Sequence, residues 1–295
     1  MKTIIGQLLI AIISIQLSIT TSQNTDRVGL LALQRAWKDK LLEWNSGSDP
    51  CGGDWADIKC NNSRVTSIIL TSMGLTGGLP MDIGQITELE YLILIGCNFI
   101  GQIPSSIGNL ENLEDLSLNN ILTGPIPSSV GNLKNLSWFD LSANQLTGSL
   151  TVSDGITPGQ DMLTQAIHIR LGDNKLSGDI PPGLFHSEMT LRHLLLENNS
   201  FTGNIPSTLG LVQTVRLDRN SLGGDVPSNI NNLTNVNEMD LSNNSFVRSN
   251  VPLWFSSLRS LTTLKMQHTN LVGELPADLF SIPQLQNVYV YPFVD

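Results

Sequence analysis

Cysteines, aromatic residues and basic residues are all scarce in this sequence. Only 3 cysteines occur among 295 residues, too few for a small fold held together by disulfides. Aromatic residues make up 5% of the chain, which favours a core of aliphatic side chains. The 16 basic residues stand against 26 acidic ones, giving a net charge of −10. Such a chain repels polyanions, so we expect neither nucleic acid nor an anionic membrane surface as a partner.

Long apolar runs are absent after the first residues. The apolar stretch from Ile4 to about Ile19 follows Lys2 and leads into small polar residues, the layout of a secretory signal peptide over residues 1–22. The alternative is an uncleaved membrane anchor. No later segment reaches the ~20 apolar residues that a transmembrane helix needs. We therefore expect an exported chain that makes no membrane contact itself.

One pattern of apolar residues recurs from Val65 onwards. The template L-x-x-L-x-L-x-x-N-x-L-x-G-x-I-P returns every 21 to 30 residues, which is a leucine-rich-repeat signature. The Asn position of this template is occupied in turn by Met73, Cys97, Ile121, Asn144, Asn174, Asn199, Asn220, Asn244 and Thr269. The pattern predicts nine repeats over residues 65–284 and an incomplete tenth over 285–295.

The alternating L-x-L segment of each repeat predicts a short strand with one buried face. Because a single repeat buries too little apolar surface to be stable alone, successive repeats must stack into a solenoid. We therefore predict an α/β repeat fold, a right-handed leucine-rich-repeat solenoid with a parallel sheet on its concave face. Cys97 occupies a turn position of the template, which predicts a buried structural thiol.

Residues 23–64 precede the repeats and form a predicted N-terminal cap. The segment from Thr25 to Lys38 has the pattern of a capped helix. Its apolar face carries Leu30, Leu33 and Trp37. Cys51 and Cys60 are nine residues apart in a chain expected to be exported, so we expect them to form a disulfide. The alternative is two buried free thiols.

The cap carries a family resemblance. Its motif D-P-C-x-x-x-W-x-x-I-x-C, over residues 49–60, resembles the cysteine-paired cap of plant leucine-rich-repeat receptor kinases. The G-x-I-P half of the repeats is similar to the plant-specific class of leucine-rich repeats. Asp57 departs from the family, whose caps usually have Gly there. The segment Leu92–Cys97 and the insertion Val152–Gln165 further resemble the receptor-kinase subgroup usually numbered eight.

This resemblance implies a receptor-like kinase ectodomain, cut off before a transmembrane helix and a cytoplasmic kinase domain. It also implies an extracellular location, at the plasma membrane if a longer form carries the helix. The sequence has no Gly-rich phosphate loop and no V-A-I-K, H-R-D or D-F-G motif. We therefore expect no kinase activity, no other enzyme activity and no cofactor in this chain.

Candidate binding residues can be read as columns along the concave sheet, because solvent-facing positions on neighbouring strands lie ~4.8 Å apart. The fourth to seventh repeats bring together an aromatic ring, two imidazoles and two guanidiniums, from Trp138, His168, Arg170, His193 and Arg216. Trp and Arg often carry interface energy, and an Arg fork suits a carboxylate or sulfate. We predict that this surface binds an extracellular peptide or protein, or a co-receptor ectodomain. The alternative is an ordinary solvated strand face.

The two histidines of this surface raise the question of a metal site. A zinc site needs a third ligand, and no residue of a suitable type lies beside His168 and His193, so we expect no metal. Two imidazoles that charge together repel each other, so binding at this surface can instead depend on pH.

Surface modification is also encoded in the sequence. Five N-x-S/T sequons predict N-linked glycans at Asn61, Asn135, Asn198, Asn232 and Asn243. Such sites fit an exported chain, because glycans are added to surface asparagines of secreted proteins.

Two functions of different classes fit these observations. One is a receptor ectodomain, or part of one, that binds a ligand outside the cell. The other is a free secreted inhibitor of a cell-wall-degrading enzyme, resembling polygalacturonase-inhibiting proteins. An inhibitor of that kind should end in a second cysteine-paired cap, whereas the segment from Val288 to Pro292 stops in mid-repeat. We therefore expect the receptor origin.

Overall fold

The N-terminal cap leads directly into the stacked repeats. The computed structural model describes residues 25–37, 44, 47–227 and 233–290. The predicted signal peptide over residues 1–22, the sequon at Asn232 and residues 291–295 of the predicted tenth repeat lie outside these described residues.

The described part of the cap contains a helix over residues 25–36. Leu30 and Leu33 on its apolar face are fully buried, as the sequence predicts. Trp37 follows the helix and stacks on Phe99 of the second repeat, with ring centroids 5.0 Å apart and planes 28° apart. Lys38, where the helix was predicted to end, lies outside the described residues.

An ion pair joins this helix to the first repeat. The Asp26 carboxylate is 2% exposed and accepts hydrogen bonds from Arg64 Nε at 2.8 Å and Nη2 at 2.9 Å. It also accepts a bond from the backbone N–H of Val65 at 3.0 Å. A carboxylate is tolerated in the interior only when it is paired and hydrogen-bonded in this way. Asp26 therefore fixes how the helix sits on the start of the sheet.

Cys51 and Cys60 form the predicted disulfide, with their Cα atoms 5.6 Å apart. Cys60 lies in strand β1, Ile58–Asn61, which pairs antiparallel with β2, Arg64–Thr71, so the bridge ties the cap loop to the sheet. Asp57 has a φ of 64°, a left-handed conformation that Gly adopts more easily. This geometry accounts for the Gly usual at that position in the caps that the motif resembles.

Eleven strands form the concave sheet within the described residues. After β1 and β2 they are Tyr91–Ile95, Asp115–Ser117, Trp138–Asp140, His168–Arg170, His193–Leu195, Thr214–Arg216, Glu238–Asp240, Thr263–Lys265 and Asn287–Tyr289. From β2 onwards each strand pairs in parallel with the strand of the next repeat. The predicted leucine-rich-repeat solenoid is confirmed.

Shorter elements complete each coil. A second parallel sheet contains Thr76–Gly77, Asn98–Gln102, Ile121–Gly124, Gln145–Gly148, Lys175–Asp179 and Ser200–Thr202. A separate pair contains Ser249–Asn250 and Leu271–Val272. Single 3₁₀ turns follow at Met81–Gln85, Ser105–Asn109, Ser128–Asn132, Gln160–Met162, Pro182–Leu184, Leu253–Ser257 and Ala277–Ser281. The first six repeats thus pair along two lines of strands, and the eighth and ninth repeats do so again through the separate pair.

The hydrophobic core runs through the solenoid as one connected cluster of mainly aliphatic side chains. Three fully buried phenylalanines interrupt the aliphatic layers at equivalent places, each two residues after the Asn position of its repeat: Phe99, Phe201 and Phe246. At these three equivalent places a phenylalanine fills the space that aliphatic side chains fill in other repeats.

Asparagine side chains fasten the coils of the third to eighth repeats to the preceding coil. Asn144 Nδ2 donates to the carbonyl of Leu118, and Asn144 Oδ1 accepts from the N–H of Leu122 at 2.9 Å. The same pair of bonds to the preceding repeat is made by Asn120, Asn174, Asn199, Asn220 and Asn244. These amides satisfy backbone groups that have left the strand ladder. We call them the asparagine ladder.

The third repeat enters this ladder through Asn120, and the assignment of Ile121 to that position was wrong. Ile121 is 39% exposed and begins a strand of the second sheet. In other repeats the residue before the ladder position has a left-handed φ, such as 55° at both Ala143 and Asp173. The third repeat has no such left-handed residue before the ladder position, so it is one residue shorter there and Asn120 takes the ladder position.

Cys97 occupies the ladder position of the second repeat. The thiol is 3% exposed, and its Sγ lies 4.0 Å from the carbonyl oxygen of Leu70, the group that a ladder asparagine would reach. Burial raises the pKa of the Cys97 thiol, which keeps it protonated and unreactive. Its predicted burial is confirmed.

The Asp26 ion pair predicts a large effect of one substitution on stability. Asp26→Ala leaves the Arg64 guanidinium without its main partner, so we expect the free energy of unfolding to fall by about 3 kcal/mol. Urea denaturation followed by circular dichroism measures this loss. The exposed Asp54 is the control, and Asp54→Ala should change the free energy by less than about 0.5 kcal/mol. Equal effects of the two substitutions would contradict the proposed role of Asp26.

The weak contact at Cys97 predicts a stabilising substitution. Asn at this position can join the asparagine ladder with both of its bonds, so Cys97→Asn should raise the free energy of unfolding by about 1 kcal/mol. Cys97→Ala is the matched control, because it removes the thiol without adding a hydrogen bond. The expectation fails if the Asn variant is no more stable than the Ala variant in urea denaturation.

Candidate ligand-binding surface

The five predicted binding residues lie on the open side of the concave sheet. Trp138, His168 and His193 are register partners on three consecutive strands and form one column. Arg170 and Arg216 lie in the next column, on either side of Leu195. All five side chains are half-buried. The sheet therefore brings together residues that span four repeats.

Three rings of the first column form a continuous stack. The Trp138 and His168 ring centroids lie 4.1 Å apart, with planes 37° apart. The His168 and His193 centroids lie 4.6 Å apart, and their planes differ by only 2°. His193 Nδ1 lies 3.2 Å from the hydroxyl of Thr214, which continues the column into the seventh repeat. This aromatic stack offers a flat surface across three strands.

Arg170 connects the stack to the second column. Its guanidinium carbon lies 5.8 Å from the centroid of the Trp138 ring, within the range of a cation–π contact. Its Nε lies 3.5 Å from Asp140 Oδ2, at ion-pair distance but beyond a good hydrogen bond. This ion pair engages the buried Nε, so the Nη atoms of the guanidinium are the donors that a ligand can use.

Arg216 lies between two buried carboxylates. Its Nη1 is 3.6 Å from Glu197 Oε1, and its Nε is 3.6 Å from Asp218 Oδ1. Arg219 Nη2 approaches the other oxygen of Asp218 at 3.1 Å. Burial raises the pKa of both the Glu197 and the Asp218 carboxyls, and the charge of Arg216 partly offsets this rise. The charge of Arg216 is thus already balanced by these acids.

The acidic partners change the interpretation of the arginines as a free anion fork. Arg170 and Arg216 each have a carboxylate at ion-pair distance, so neither guanidinium is free in the way that the sequence predicted. Asp140 is the register partner of Arg170 on the adjacent strand, so its pairing could have been found by aligning the repeats. An anion alone would have to compete with these carboxylates for each guanidinium.

The same pairing continues beyond the aromatic stack. Lys265 Nζ lies 3.3 Å from Glu238 Oε1 and 3.4 Å from Asp240 Oδ2. The columns of the third to ninth repeats also contain more carboxylates than cations. The concave face is therefore acidic overall, with local positive groups at Arg170 and Arg216.

A metal site is not formed by these residues. Within the described ranges, no three His, Cys, Asp or Glu side chains converge in a way that could hold a metal ion. His168 and His193 lie with their rings face to face, so their ring nitrogens do not converge on one point. The pair contributes flat ring surface and titratable charge.

Four predicted glycosylation sites can be placed. Asn61, Asn135, Asn198 and Asn243 are all exposed. Asn198 Nδ2 donates to Asp173 Oδ1 at 2.7 Å, and Asn135 Nδ2 donates to the carbonyl of Glu111 at 3.3 Å. Glycans at these positions remain a prediction.

The insertion in the fourth repeat forms an ordered loop beside the second sheet. Asp154 Oδ1 accepts bonds from the N–H groups of Ile156 at 2.9 Å and Thr157 at 2.6 Å. Asp161 accepts bonds from the N–H and the hydroxyl of Ser153 at 2.7 and 2.6 Å. These bonds leave Ile156 at the tip, 94% exposed.

Within the part of the chain that the structure describes, no helix is both long enough and apolar enough to cross a bilayer.

Models of known families match both parts of the chain. The description "Leucine rich repeat N-terminal domain" fits residues 23–61, and "Leucine Rich Repeat" fits residues 88–110 and 190–212. Together with the stacked coils and their asparagine ladder, these matches define the class. The chain is a leucine-rich-repeat protein.

Along most of its length the chain is similar to ectodomains of plant receptor kinases. It is 43% identical to the "Probable leucine-rich repeat receptor-like protein kinase" of Arabidopsis thaliana, over 90% of this chain and 34% of that protein. The chain therefore spans about a third of the length of this relative.

Two solved structures show the same fold. The plant peptide hormone receptor RGFR1 in complex with RGF2 has 34% identity and a TM-score of 0.69, covering 76% of this chain and 35% of that one. The ectodomain of the Arabidopsis thaliana membrane receptor kinase GASSHO1/SCHENGEN3, in complex with Casparian strip integrity factor 2, has 28% identity and a TM-score of 0.73. That match covers 86% of this chain and 33% of that one.

The aromatic stack predicts how His168 titrates. Burial lowers the pKa of His168, and the nearby positive charges of His193 and Arg170 lower it further. We therefore expect an NMR titration of the His168 ring to give a midpoint below the ordinary value of ~6.5. His193→Gln removes one of these charges, so the midpoint should move upwards.

The lowered pKa of His168 also affects the stability of the wild-type chain. Because the unfolded chain binds the proton at a higher pH than the folded chain, the free energy of unfolding should fall as the pH drops below ~6.5.

Arg219→Gln is the control for this titration, because Arg219 pairs with Asp218 and is not among the charges that act on His168. It should leave the His168 midpoint unchanged. An unchanged midpoint in His193→Gln would mean that the two imidazoles do not interact.

Proposed function

We propose that this chain is part of the extracellular region of a plant receptor-like kinase of the subgroup numbered eight. In this proposal it binds a peptide or protein ligand on the concave face of the fourth to seventh repeats. The observation that carries the proposal is the stack of Trp138, His168 and His193, flanked by Arg170 and Arg216 on an open parallel sheet.

The similar proteins support this function. The plant peptide hormone receptor RGFR1 forms a complex with RGF2, and the GASSHO1/SCHENGEN3 ectodomain forms one with Casparian strip integrity factor 2. The identity of 43% to a receptor-like kinase favours a receptor origin over a free secreted inhibitor. A location outside the cell, with a longer form held at the plasma membrane, is part of the same proposal.

The geometry suits an extended ligand. A ligand peptide that crosses the strands at right angles follows one column and meets the side chain of the next strand every ~4.8 Å. One extended segment can therefore touch all three rings of the stack. Flat aromatic rings give contact area with little loss of side-chain freedom. Trp138 is then the main apolar anchor, with the imidazoles extending its surface.

The charges suit a ligand that carries both signs. Arg170 and Arg216 can donate to a ligand carbonyl or carboxylate through their other Nη atoms, since the ion pair of Arg170 engages Nε and those of Arg216 engage Nε and Nη1. A ligand that also brings cationic groups gains from the acidic remainder of the face. A peptide with mixed charge therefore fits this surface better than a lone sulfate or carboxylate.

Replacing the anchors should abolish binding. Peptides selected on the wild-type chain from a random phage-displayed library should bind a Trp138→Ala, Arg170→Ala, Arg216→Ala variant at least about 100-fold more weakly. Surface plasmon resonance with the selected synthetic peptides measures this loss.

The matched control is a Thr123→Ala, Thr147→Ala, Arg259→Ala variant. These three side chains are exposed and lie away from the concave columns, and the variant also removes one guanidinium. It should bind like the wild type. Wild-type affinity in the anchor variant would show that the peptides bind elsewhere and would sink the proposed site.

A further inference from the structure

A polar groove runs along the edge of the sheet where the concave strands begin. Its volume is about 510 Å³, and it crosses the third to sixth repeats. Besides Asn135, it is lined by Glu114, Ser137, Gln165, Ile167, Thr190 and Arg192. The lining offers two amides, two hydroxyls, a carboxylate and a guanidinium around a single aliphatic side chain. Such a surface matches a sugar, whose ring carries many hydroxyls and a small apolar face.

Asn135 belongs to this lining and begins the sequon Asn135-Leu136-Ser137. Its side chain is exposed, so it is open to modification. Its bond to the Glu111 carbonyl, at 3.3 Å, uses one N–H of the amide. The second N–H is therefore available for replacement by a sugar. Asn61, Asn198 and Asn243 do not line the groove.

The groove leads away from Asn135 towards the later repeats. Gln165 and Ile167 belong to the coil that follows Asn135, and Thr190 and Arg192 to the coil after that. Two inter-strand spacings of ~4.8 Å give it a length of about 10 Å beyond Asn135. A saccharide attached at Asn135 can therefore lie along the groove without leaving the surface.

We propose that Asn135 carries an N-linked glycan whose first sugars are seated in this groove. In the covalent step, the bond from the sugar C1 to the diphosphate of an oligosaccharyl lipid breaks, and C1 bonds to Asn135 Nδ2. That nitrogen loses one proton, and the lipid diphosphate leaves. The inference rests on the extracellular location in the proposed function, because this transfer occurs on exported chains.

The seated glycan forms one wall of the ligand surface. Ser137, Ile167 and Arg192 each immediately precede one of the three rings of the aromatic stack. Sugars in the groove therefore lie directly beside Trp138, His168 and His193. They restrict a ligand to approaching from the other side and over the top of the strands.

The test compares the four sequons within one molecule. The full chain is secreted from plant cells, and glycopeptide mass spectrometry measures the occupancy of Asn61, Asn135, Asn198 and Asn243. A peptide N-glycanase is then applied to the native protein. Release from Asn135 should be about tenfold slower than release from the other occupied sites, because the sugars must leave the groove before the enzyme can reach the bond. After denaturation the release rates at all sites should be equal. Gln165→Ala with Thr190→Ala should bring the native rate at Asn135 close to the others.

Each contrary result has a distinct meaning. Equal native release at all sites overturns the seated glycan, and so does an empty Asn135 on a chain that is glycosylated elsewhere. Neither result affects the proposed ligand surface, whereas four empty sequons would count against the extracellular location itself.

A second arm separates the attached glycan from a free sugar. Chitobiose is titrated into the glycosylated wild type and into Asn135→Gln, and NMR shifts of the amides of Ile167 and Arg192 are followed. Shifts only in Asn135→Gln are expected, because the native groove is already filled. Equal shifts in both proteins would show an open groove that takes a free saccharide, which overturns the proposal.

Discussion

Each coil from the third to the eighth repeat is fastened to the one before it by asparagine hydrogen bonds at the end of its concave strand, and the rest of the structure depends on that connection. The asparagine ladder supplies a donor to the preceding carbonyl and an acceptor to the preceding N–H, as at Asn144. Without it, each turn would bury backbone groups that have no strand partner. The ladder therefore allows the chain to turn sharply while its apolar layers stay in contact.

The register set in this way creates the candidate binding surface. Trp138, His168 and His193 are far apart in the sequence, yet they stack because their strands are fixed in parallel and in step. A shift of one residue would turn these rings into the core and expose the leucines. The binding surface and the hydrophobic core are thus opposite faces of the same strands, and neither can change register alone.

The positive charges on the concave face are each paired with carboxylates of the same face. Arg216 lies between Glu197 and Asp218, and Arg170 lies beside Asp140 and over the Trp138 ring. These pairs hold the guanidiniums in place at ion-pair distance while leaving donors for a ligand. An acidic chain can in this way present positive groups at defined positions of its concave face, and a partner must match both signs.

The repeat pattern alone determined the solenoid, its parallel sheet and the columns of outward-facing residues, because strand alternation and repeat stacking are local rules that every copy obeys. The same pattern placed Cys97 in the interior, and the cysteine spacing in the cap predicted the Cys51–Cys60 disulfide. Tertiary structure decided what depends on neighbouring coils: that Asn120 rather than Ile121 joins the ladder, that Asp26 pairs with Arg64, and that each arginine faces a carboxylate. The Asn120–Leu94 and Asp26–Arg64 bonds join residues 26 and 38 positions apart, which a template read along the chain cannot pair. Aligning the repeats places Asp140 beside Arg170, but the ion-pair distances depend on side-chain conformations in neighbouring coils.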